Sequence, residues 1–416
     1  MYDLGIAIYI FSLRIIALFN EKTRLLLHGQ KQTFRILSEQ INRMEKYIWF
    51  HADSLGEFEN SRPLIEKIKK ERPKYKILLT FSTSAAYETH KNYIGANIIC
   101  HLPFDTVGNV RHFLNIVRPQ MVVIAEKPLG VNYSFALSNN NTPAFIISAE
   151  FHAHQRYFHW YGMDYRDVLD CYTRIFVKNE SSRMLLENHA INNALVTGDT
   201  RFDRVYEIFE QQKGLPLIER FVNQTESPNT RVVVAGNTWP EDENLLLNYF
   251  NHTPTLKKLI IVPHEMRPSR YKEILSKSER RTMLYSQALK SDVHTADCLV
   301  IDCFGILSSL YRYGDVAYVG GGFGSGVHNI LEPSAHSIPI VFGPKHQHSQ
   351  QVSDMVTTGA CIAVQNATEF SQIMNALLSY GTYKQEVGEK AGRLVAENRG
   401  ATERIFGELR GYLKLV

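Results

Sequence analysis

The stretch YIWFHADSLGEF, residues 47–58, contains the unit on which the fold is built. Residues 47–50 form a short run of aromatic and β-branched side chains, residues 51–56 form a loop, and a helical stretch follows as far as Pro73. Continuous apolar runs that alternate with loops and helical stretches are typical of buried parallel strands joined by crossover helices. The stretch therefore predicts an α/β protein built on a parallel sheet.

The same alternation repeats along the chain in two series. The first series has candidate strands at residues 47–50, 76–81, 97–102, 121–125, 144–148, 174–177 and 194–197. The second has candidates at residues 232–235, 259–262, 299–302, 316–319, 338–342 and 361–364. Polar and turn-forming residues separate the two series. We predict two Rossmann-like, doubly wound domains with a cleft between them, at residues 46–206 and 231–416, joined by a linker at 207–230; the second domain ends in a helical tail.

The first 45 residues depart from this pattern. Residues 4–19, LGIAIYIFSLRIIALF, are apolar except for Arg14, but a spanning helix needs about 20 apolar residues. A signal peptide begins with a basic segment, whereas this chain begins MYD. The basic residues that follow the apolar run are Lys22, Arg24, Lys31, Arg35, Arg43 and Lys46. We predict that residues 1–45 form a helical segment at the surface of an anionic membrane; the alternative is a helix packed on its own domain or on a neighbouring subunit.

The composition limits the classes of function. Of 416 residues, 44% are hydrophobic and 21% are charged, and a net charge of +4 is too small for a protein whose main partner is nucleic acid. The five cysteines are scattered and form no CxxC pair, which disfavours a disulfide framework or a zinc site. His346 and His348 have no acidic third ligand nearby in the sequence. We therefore predict no metal cofactor and no nucleic-acid partner.

The loop after residues 47–50 contains a candidate general base. Ligands of open parallel sheets bind at the carboxyl ends of the strands, so chemistry is expected in such loops. Glu57 falls in the first turn of the following helix, where partial positive charge keeps a carboxylate ionised, and Gly56 allows another backbone to approach closely. Glu57 is therefore a candidate to accept a proton from a sugar hydroxyl. The alternative is a glutamate that only caps the helix.

A glycine-rich loop follows residues 316–319 and reads GGGFGSGVHNILEP at 320–333. Backbone amides that no side chain obstructs can surround a phosphate at a helix terminus. The candidate residues for the donor nucleotide are Gly321, Gly322, Gly324, Gly326 and His328, with Asn329 and Glu332 on one helical face for base or ribose contacts. The loop matches neither the GxGxxG nor the Walker pattern, which disfavours a dehydrogenase or a P-loop enzyme.

Two other loops of the second series offer phosphate donors. The loop after residues 259–262 reads PHEMRPSR, and the segment after residues 232–235 reads GNTW. The candidates are His264, Glu265, Arg267 and Arg270 in the first loop and Gly236, Asn237 and Thr238 in the second. Arginine and histidine side chains suit a nucleotide phosphate, and a glycine with a hydroxyl at a helix entry suits the same group. The alternative for the first loop is a solvated basic surface.

Four motifs taken in order resemble one family. HADSLGE (residues 51–57), TGDTRFD (197–203), GNTWPEDE (236–243) and GGGFGSGVHNILEP (320–333) are similar in sequence and spacing to motifs of the 3-deoxy-D-manno-octulosonic acid (Kdo) transferases. The resemblance covers essentially the whole chain and includes the apolar amino terminus. Residues 147–151, 160–162 and 175–177 resemble the Bacteroidetes-type branch of this family.

The resemblance implies a GT-B fold and a membrane-associated glycosyltransferase of lipopolysaccharide biosynthesis. It implies inverting transfer of Kdo from CMP-Kdo to a lipid A precursor of the lipid IVA type, without a metal, at the cytoplasmic face of the bacterial inner membrane. Glu57 matches the family's general base, and Asn329 and Glu332 match nucleotide-contacting positions. The CMP phosphate is expected against the glycine-rich loop and the loop at 263–270.

One motif departs from the family pattern. The family has a second glutamate in a Glu-x-Trp-x-Asn-like motif after the fourth strand, whereas AEKPLGVN at 125–132 lacks the tryptophan. Glu126 is the counterpart that we predict to act beside Glu57. The departure leaves two alternatives open: another GT-B nucleotide-sugar enzyme, such as a UDP-sugar transferase or an epimerase, and a non-catalytic membrane-associated relative.

Overall fold

A computed structural model describes residues 2–159, 163–211, 214–223, 231–289, 292–347 and 349–413 of the chain. The chain divides into two compact units. The first consists of Met1–Arg204 and Arg399–Val416, and the second of Val205–Asn398.

Within the described residues, seven parallel strands form the sheet of the first unit in the order β3-β2-β1-β4-β5-β6-β7. The strands are β1 (Tyr47–Ala52), β2 (Lys76–Phe81), β3 (Ile98–His101), β4 (Met121–Ala125), β5 (Ala144–Ala149), β6 (Arg174–Val177) and β7 (Ala194–Val196). The helices are α1 (Tyr2–Ile16), α2 (Glu21–Gln40), α3 (Leu55–Glu71), α4 (Ser84–His90), α5 (Val107–Val117), α6 (Val131–Asn139), α7 (Met163–Asp170) and α8 (Glu180–Glu187). Helix α9 (Thr200–Glu210) begins in the first unit and ends in the second.

The sheet of the second unit also has seven parallel strands among the described residues, in the order β10-β11-β9-β8-β12-β13-β14. The strands are β8 (Arg231–Thr238), β9 (Leu256–Pro263), β10 (Thr282–Leu284), β11 (Cys298–Val300), β12 (Val316–Val319), β13 (Ile340–Phe342) and β14 (Ile362–Ala363). The helices are α10 (Pro216–Val222), α11 (Pro240–His252), α12 (Pro268–Lys277), α13 (Tyr285–Ala288), α14 (Leu307–Leu310), α15 (Leu331–Ser334), α16 (Gln350–Thr357), α17 (Ala367–Ser379) and α18 (Gly381–Glu397).

The strand predictions are confirmed to within three residues at either end. Strand β1 shows why these runs are continuously apolar: Trp49 packs into the core on one face of the sheet, while Ile48 and Phe50 pack into the core on the other. Successive side chains of a strand point to opposite faces, so a strand covered on both faces needs no polar alternation. Strand β10 was missed because it is a three-residue edge strand that directly follows the charged residues ERR.

The carboxyl-terminal tail belongs to the first unit, so its predicted assignment to the domain at 231–416 is wrong. Helix α19 (Ala401–Leu409) buries Ile405 and Phe406 in the core that contains Phe58 of α3. The carboxylate of Asp203 accepts the N–H of Gly400 at 2.6 Å and thereby fixes the chain where it enters α19. An amphipathic helix needs an apolar partner, but its own periodicity does not say which domain supplies one.

The predicted linker contains regular structure. The end of α9 and all of α10 fall within residues 207–230, and Leu217, Ile218 and Phe221 of α10 are buried. Residues 212–213 and 224–230 of the predicted linker lie outside the described residues. The turn-forming composition therefore predicted where the series of strands breaks, but it missed a helix that contributes apolar side chains to the second unit.

The amino-terminal segment forms two helices, α1 and α2. Helix α1 has no buried residue, whereas α2 buries Leu37 in the core and Thr33, whose hydroxyl donates to the carbonyl of His101 at 2.9 Å. Among the described residues, no helix combines the length and the apolar character that crossing a bilayer requires. Helix α1 has 15 residues and is therefore about 22 Å long, against a hydrocarbon core of about 30 Å.

Candidate active site

The two sheets each have a point at which the strand order reverses. In the first, β1 lies between β2 and β4, and in the second, β8 lies between β9 and β12. Loops that leave two neighbouring strands toward opposite faces open a crevice there, which is where open α/β sheets bind ligands. Glu57 follows β1, and the glycine-rich loop follows β12. Both motifs therefore lie at the switch point of their own sheet.

Glu57 caps its helix with one carboxylate oxygen and holds the other beside a lysine. Ser54 is the N-cap of α3, and its Oγ accepts the N–H of Glu57 at 3.3 Å. Oε2 of Glu57 accepts the N–H of Asp53 at 2.6 Å. Oε1 lies 3.3 Å from Nζ of Lys127, in the loop after β4. Oε2 therefore has the capping role that the alternative interpretation gave to Glu57, whereas Oε1 takes no part in the cap and lies beside Lys127.

Glu57 lies in the wall of a cavity of about 230 Å³. The lining includes the polar residues His51, Asp53, Glu57, Ser82, Asp105 and Lys127, and the apolar residues Leu102, Phe104, Pro128 and Leu129. Only 6% of the Glu57 side chain is exposed. Burial raises the pKa of Glu57, and the negative charge of Asp53 raises it further. Burial and the charge of Asp53 outweigh the opposing hydrogen bond from the Asp53 N–H and the charge of Lys127, and they make Glu57 a stronger base than an exposed carboxylate.

A chain of buried hydrogen bonds positions Asp53 next to Glu57. Trp49 Nε1 donates to Thr80 Oγ1 at 2.7 Å, Thr80 Oγ1 lies 2.8 Å from His51 Nδ1, and His51 Nε2 lies 3.0 Å from Asp53 Oδ1. The arrangement is satisfied when Thr80 donates to Nδ1 and His51 donates from Nε2. Burial opposes ionisation of Asp53, but the hydrogen bond and charge of His51, the hydrogen bond from Ser82 and the charge of Lys127 together hold the pKa of Asp53 below its ordinary value. A carboxylate that stays ionised so close to Glu57 favours proton uptake by Glu57.

The loop after β4 contains Glu126 and Lys127, and the two side chains have different partners. Glu126 has a φ of 60°, its Oε1 accepts Nδ2 of Asn60 at 2.6 Å, and the same atom lies 3.4 Å from Nζ of Lys178. Of these two residues, Lys127 lines the cavity of Glu57. After burial and the charge of Asp53, the negative charge of Glu126 also raises the pKa of Glu57. A role for Glu126 beside Glu57 therefore stays a prediction. Glu126, directly after β4, has a positive φ, and this backbone turn points the side chains of Glu126 and Lys127 in different directions. Nothing in the sequence indicated that Lys127 would be the residue beside Glu57.

Asp242 of α11 holds the glycine-rich loop in place. Its buried carboxylate accepts the N–H of Gly321 at 2.8 Å, the hydroxyl of Tyr318 at 2.6 Å and the N–H of Trp239 at 2.9 Å. Gly321 has a φ of +94°, and a Cβ on it would lie 2.2 Å from the carbonyl oxygen of Gly326. Only glycine fits that turn. The sequence contained Asp242 in the GNTWPEDE motif but gave no sign that it anchors a loop 79 residues later.

The residues after the glycines differ from the prediction of a phosphate site at a helix terminus. Helix α15 has four residues and begins at Leu331, so Asn329 precedes it and the helix is too short to supply a substantial dipole. Nδ2 of Asn329 donates to Oε1 of Glu332 at 3.2 Å, and Ser308 donates to Oε2 of Glu332 at 2.5 Å. The N–H of Gly324 donates to the carbonyl of Gly321 at 2.9 Å, so a phosphate at this place would depend on other loop amides, such as that of Gly322.

Three aromatic rings stack beside the glycine-rich loop. The ring of His264 lies between Trp239 and His328, with centroid distances of 4.4 Å and 4.8 Å. Trp239 Nε1 donates to His328 Nε2 at 2.9 Å. Burial, followed by the charge of His264, lowers the pKa of His328 to about 4. A neutral His328 that accepts at Nε2 has its proton on Nδ1, so it presents a hydrogen-bond donor without a charge.

The other residues predicted to contact the nucleotide fall into two groups, one buried and one exposed. The hydroxyl of Thr238 is buried and donates to Glu243 at 3.0 Å, and the guanidinium of Arg270 is buried between Glu243 and Glu273. The structure therefore gives these two residues a structural role instead of a phosphate contact. Arg267 is exposed and pairs with Glu265 at 2.6 Å. The remaining predicted positions are Gly236 and Asn237 at the end of β8, where Asn237 has a φ of 54°, and Gly56, where a Cβ would meet nothing within 4 Å.

Comparison with known proteins supports the resemblance found in the sequence. Residues 28–204 match the family model described as 3-deoxy-D-manno-octulosonic-acid transferase (kdotransferase). A 3-deoxy-D-manno-octulosonic acid transferase of Rickettsia prowazekii is 25% identical over 371 residues, which is 85% of this chain and 76% of that protein. The corresponding transferase of Haemophilus influenzae is 24% identical over 383 residues, 88% of this chain and 87% of that protein.

The solved structures with a similar fold include nucleotide-sugar enzymes. A UDP-GlcNAc 2-epimerase from Neisseria meningitidis bound to UDP-GlcNAc has a TM-score of 0.60 and 16% identity, over 88% of this chain and 100% of that chain. At this identity the likeness concerns the fold, and it confirms the predicted two-domain α/β arrangement of the GT-B type. The family model over residues 28–204 and the Kdo transferases that align over most of the chain together support this protein as a glycosyltransferase that transfers Kdo in lipopolysaccharide biosynthesis.

Proposed function

We propose that this chain transfers Kdo from CMP-Kdo to a lipid A precursor of the lipid IVA type, with inversion and with Glu57 as general base. The buried Glu57 supports this most directly, because its Oε1 lies beside Lys127 in the wall of a cavity lined by both polar and apolar residues. Oε1 takes the proton of the acceptor's primary hydroxyl as the oxygen attacks an oxocarbenium-like anomeric carbon. The bond from that carbon to the CMP oxygen breaks, and the phosphate keeps the electron pair.

The second domain supplies the donor site in this proposal. The amide of Gly322 and Nδ1 of His328 are the donors that we assign to the CMP phosphate, because Asp242 and the stacked rings hold them in fixed positions. Donors that are positioned before charge develops stabilise a leaving phosphate without reorganisation. We also propose that transfer needs no metal ion. The described parts of the chain contain no group of three His, Cys, Asp or Glu side chains suited to hold one.

Mass spectrometry of the reaction product tests the donor and the acceptor together. Purified protein in detergent is incubated with a tetra-acylated lipid A precursor and, in parallel, with CMP-Kdo or UDP-GlcNAc. We expect an acceptor that gains the mass of Kdo, together with free CMP, only in the first mixture. Conversion of UDP-GlcNAc without an acceptor would instead support an epimerase, the alternative left open by the altered motif at Glu126. Binding of neither nucleotide in calorimetry would support the non-catalytic relative.

We further propose that the chain lies on the cytoplasmic face of the bacterial inner membrane through α1 and α2. Leu4, Ile8, Phe11 and Ile15 form one stripe of α1 and are between 48 and 66% exposed. Exposed Arg24, Lys31 and Arg35 likewise share one face of α2. An apolar stripe with basic residues beside it binds an anionic bilayer by burial and by charge attraction.

Vesicle co-sedimentation tests this membrane contact. We expect the Phe11→Asp, Ile15→Asp double variant to bind anionic vesicles at least tenfold more weakly than the unsubstituted protein, because two charges enter the apolar stripe. Ile94→Asp is the matched control, since Ile94 is 90% exposed and lies outside α1 and α2. Equal binding by the double variant and this control would show that α1 does not carry the contact.

A further inference from the structure

A groove of about 500 Å³ runs beside the first helix, in a region to which the sequence assigned no chemistry. It is lined by Tyr2, Gly5 and Ile6 of α1, by Val131 and Phe135 of α6, and by Tyr165 and Asp167 of α7. Asp167 is the one charged side chain among these lining residues. Pockets of this volume with a mainly apolar lining are typical of sites for apolar ligands.

The groove adjoins the cavity of Glu57. Ile6 lines both, and the consecutive residues Gly130 and Val131 line the cavity and the groove respectively. The hydroxyl of Tyr2, which lines the groove, donates to Oδ2 of Asp105, which lines the cavity, at 2.5 Å. A ligand with a polar head in the cavity and an apolar extension would therefore reach the groove past the Tyr2–Asp105 hydrogen bond.

The groove and the exposed apolar stripe of Leu4, Ile8, Phe11 and Ile15 lie on different sides of α1. Tyr2 and Ile6 face the groove, and Leu4 and Ile8 on the same helix are 66% and 58% exposed. The surface that we propose to lie on the bilayer and the wall of the groove are thus two sides of one helix. A lipid at that surface has only the width of α1 to pass before it reaches the groove.

We infer that the groove is a subsite for one acyl chain of the lipid acceptor, an inference that rests on the proposed function. The occupant is a single hydrocarbon chain, because the lining is apolar and the groove continues from the cavity in which the acceptor's sugar head meets Glu57. Each methylene that leaves water for such a lining strengthens binding about fourfold. The subsite makes the enzyme select acylated acceptors and draws one chain out of the bilayer when the head group binds.

Gly5→Trp tests the subsite by filling the groove. Gly5 lines the groove, and a Cβ on it would meet nothing within 4 Å, so a larger side chain fits there beside the groove without displacing the backbone. Ala7→Trp places the same indole on α1 at an exposed residue outside the apolar stripe, and Gly5→Ala leaves the groove open. Both controls keep the apolar character of the helix, so they separate loss of groove volume from a change in membrane affinity.

We expect Gly5→Trp to lower kcat/KM for the tetra-acylated acceptor at least tenfold, as displacement of two methylenes predicts, and to leave turnover of a deacylated acceptor unchanged. The two controls should match the unsubstituted protein on both acceptors. Equal effects of Gly5→Trp and Ala7→Trp, or an equal loss on both acceptors, would overturn the subsite. Failure of the proposed function is a separate result, because the unsubstituted protein would then transfer Kdo to neither acceptor.

Photocrosslinking keeps the test decisive if the deacylated acceptor is a poor substrate. The probe is the tetra-acylated acceptor with a diazirine at the end of one acyl chain, mixed with the full-length protein in detergent. We expect crosslinked peptides that contain Val131, Phe135 or Tyr165, and we expect Gly5→Trp to remove them. Crosslinks confined to Leu4, Ile8, Phe11 and Ile15 would contradict the subsite, because they would leave every chain on the outer side of α1.

Discussion

Glu57→Gln is expected to lower kcat for Kdo transfer by roughly 10²–10⁴-fold, the usual contribution of a positioned general base. Glutamine has the size of glutamate. In the native protein the backbone N of Asp53 lies 2.6 Å from Oε2 of Glu57, and the amide oxygen of glutamine can accept the same N–H. The substitution therefore removes the proton acceptor at Oε1 and preserves the helix cap. The measurement is the initial rate of CMP release with the lipid acceptor, together with the KM for that acceptor.

The chain contains a matched control for the cap. Glu369 holds the same position in α17 as Glu57 holds in α3: its N–H donates to the N-cap residue Asn366 at 3.0 Å, and its Oε2 accepts the N–H of Gln365 at 2.7 Å. Glu369→Gln should change neither kcat nor KM. If Glu57→Gln left kcat within twofold of this control, Glu57 would be a capping residue and the base would have to be another group.

The pH dependence of the reaction provides a second check on Glu57. A base must be ionised, and burial followed by the charge of Asp53 raises the pKa of Glu57, so activity should be lost on acidification at a higher pH than an exposed glutamate would give. Lys127 and the N–H of Asp53 oppose this increase. Lys127→Met removes a favourable charge, raises the pKa of Glu57 further and should shift the acid limb of kcat/KM to higher pH. Lys127→Arg should restore the native profile, whereas an unshifted limb in Lys127→Met would show that Lys127 does not influence the base.

Arg270→Met is expected to lower the free energy of unfolding of the second domain by about 3–5 kcal/mol. The Arg270 and Glu243 side chains are only 5% and 1% exposed, and the guanidinium pairs with that carboxylate. Removal of the arginine leaves the negative charge of Glu243 buried, and within the described parts of the chain the hydroxyl of Thr238 is then its remaining hydrogen-bond donor. Hydrogen exchange of the β8 and β9 amides, read by mass spectrometry, reports on this domain even when the two domains unfold separately.

Two further variants separate a structural role from a nucleotide contact. Arg267→Met removes a cation from the same loop, but its pair with Glu265 is 61% and 38% exposed, so stability should change by less than about 0.5 kcal/mol. The double variant Arg270→Met, Glu243→Met replaces both charges and should recover most of the loss. An Arg270→Met protein of native stability that binds CMP more weakly would restore the phosphate role first predicted for this arginine.

Much of the site could be predicted because its motifs lie next to strands. Glu57 and the glycine-rich loop each follow an apolar run, and the rule that ligands bind at the carboxyl ends of parallel strands identified both loops as candidates. The strand order then showed that each lies at the switch point of its sheet. Thr238 and Arg270 were assigned to the nucleotide by the same rule and proved to face inward. A rule based on position along a strand does not say whether a side chain points to solvent or to the core.

The sequence by itself determined the strands, the break between the two series and the position of Glu57, since each depends on residues close together in the chain. Only the tertiary structure decided that Lys127 is the neighbour of Glu57, although 70 residues separate them, and that the tail from Arg399 belongs to the first domain. It also decided that α1 has a groove on one side. Local patterns record which side chains must be buried, whereas the partner that buries each of them is set by how strands pair and helices pack across the whole domain.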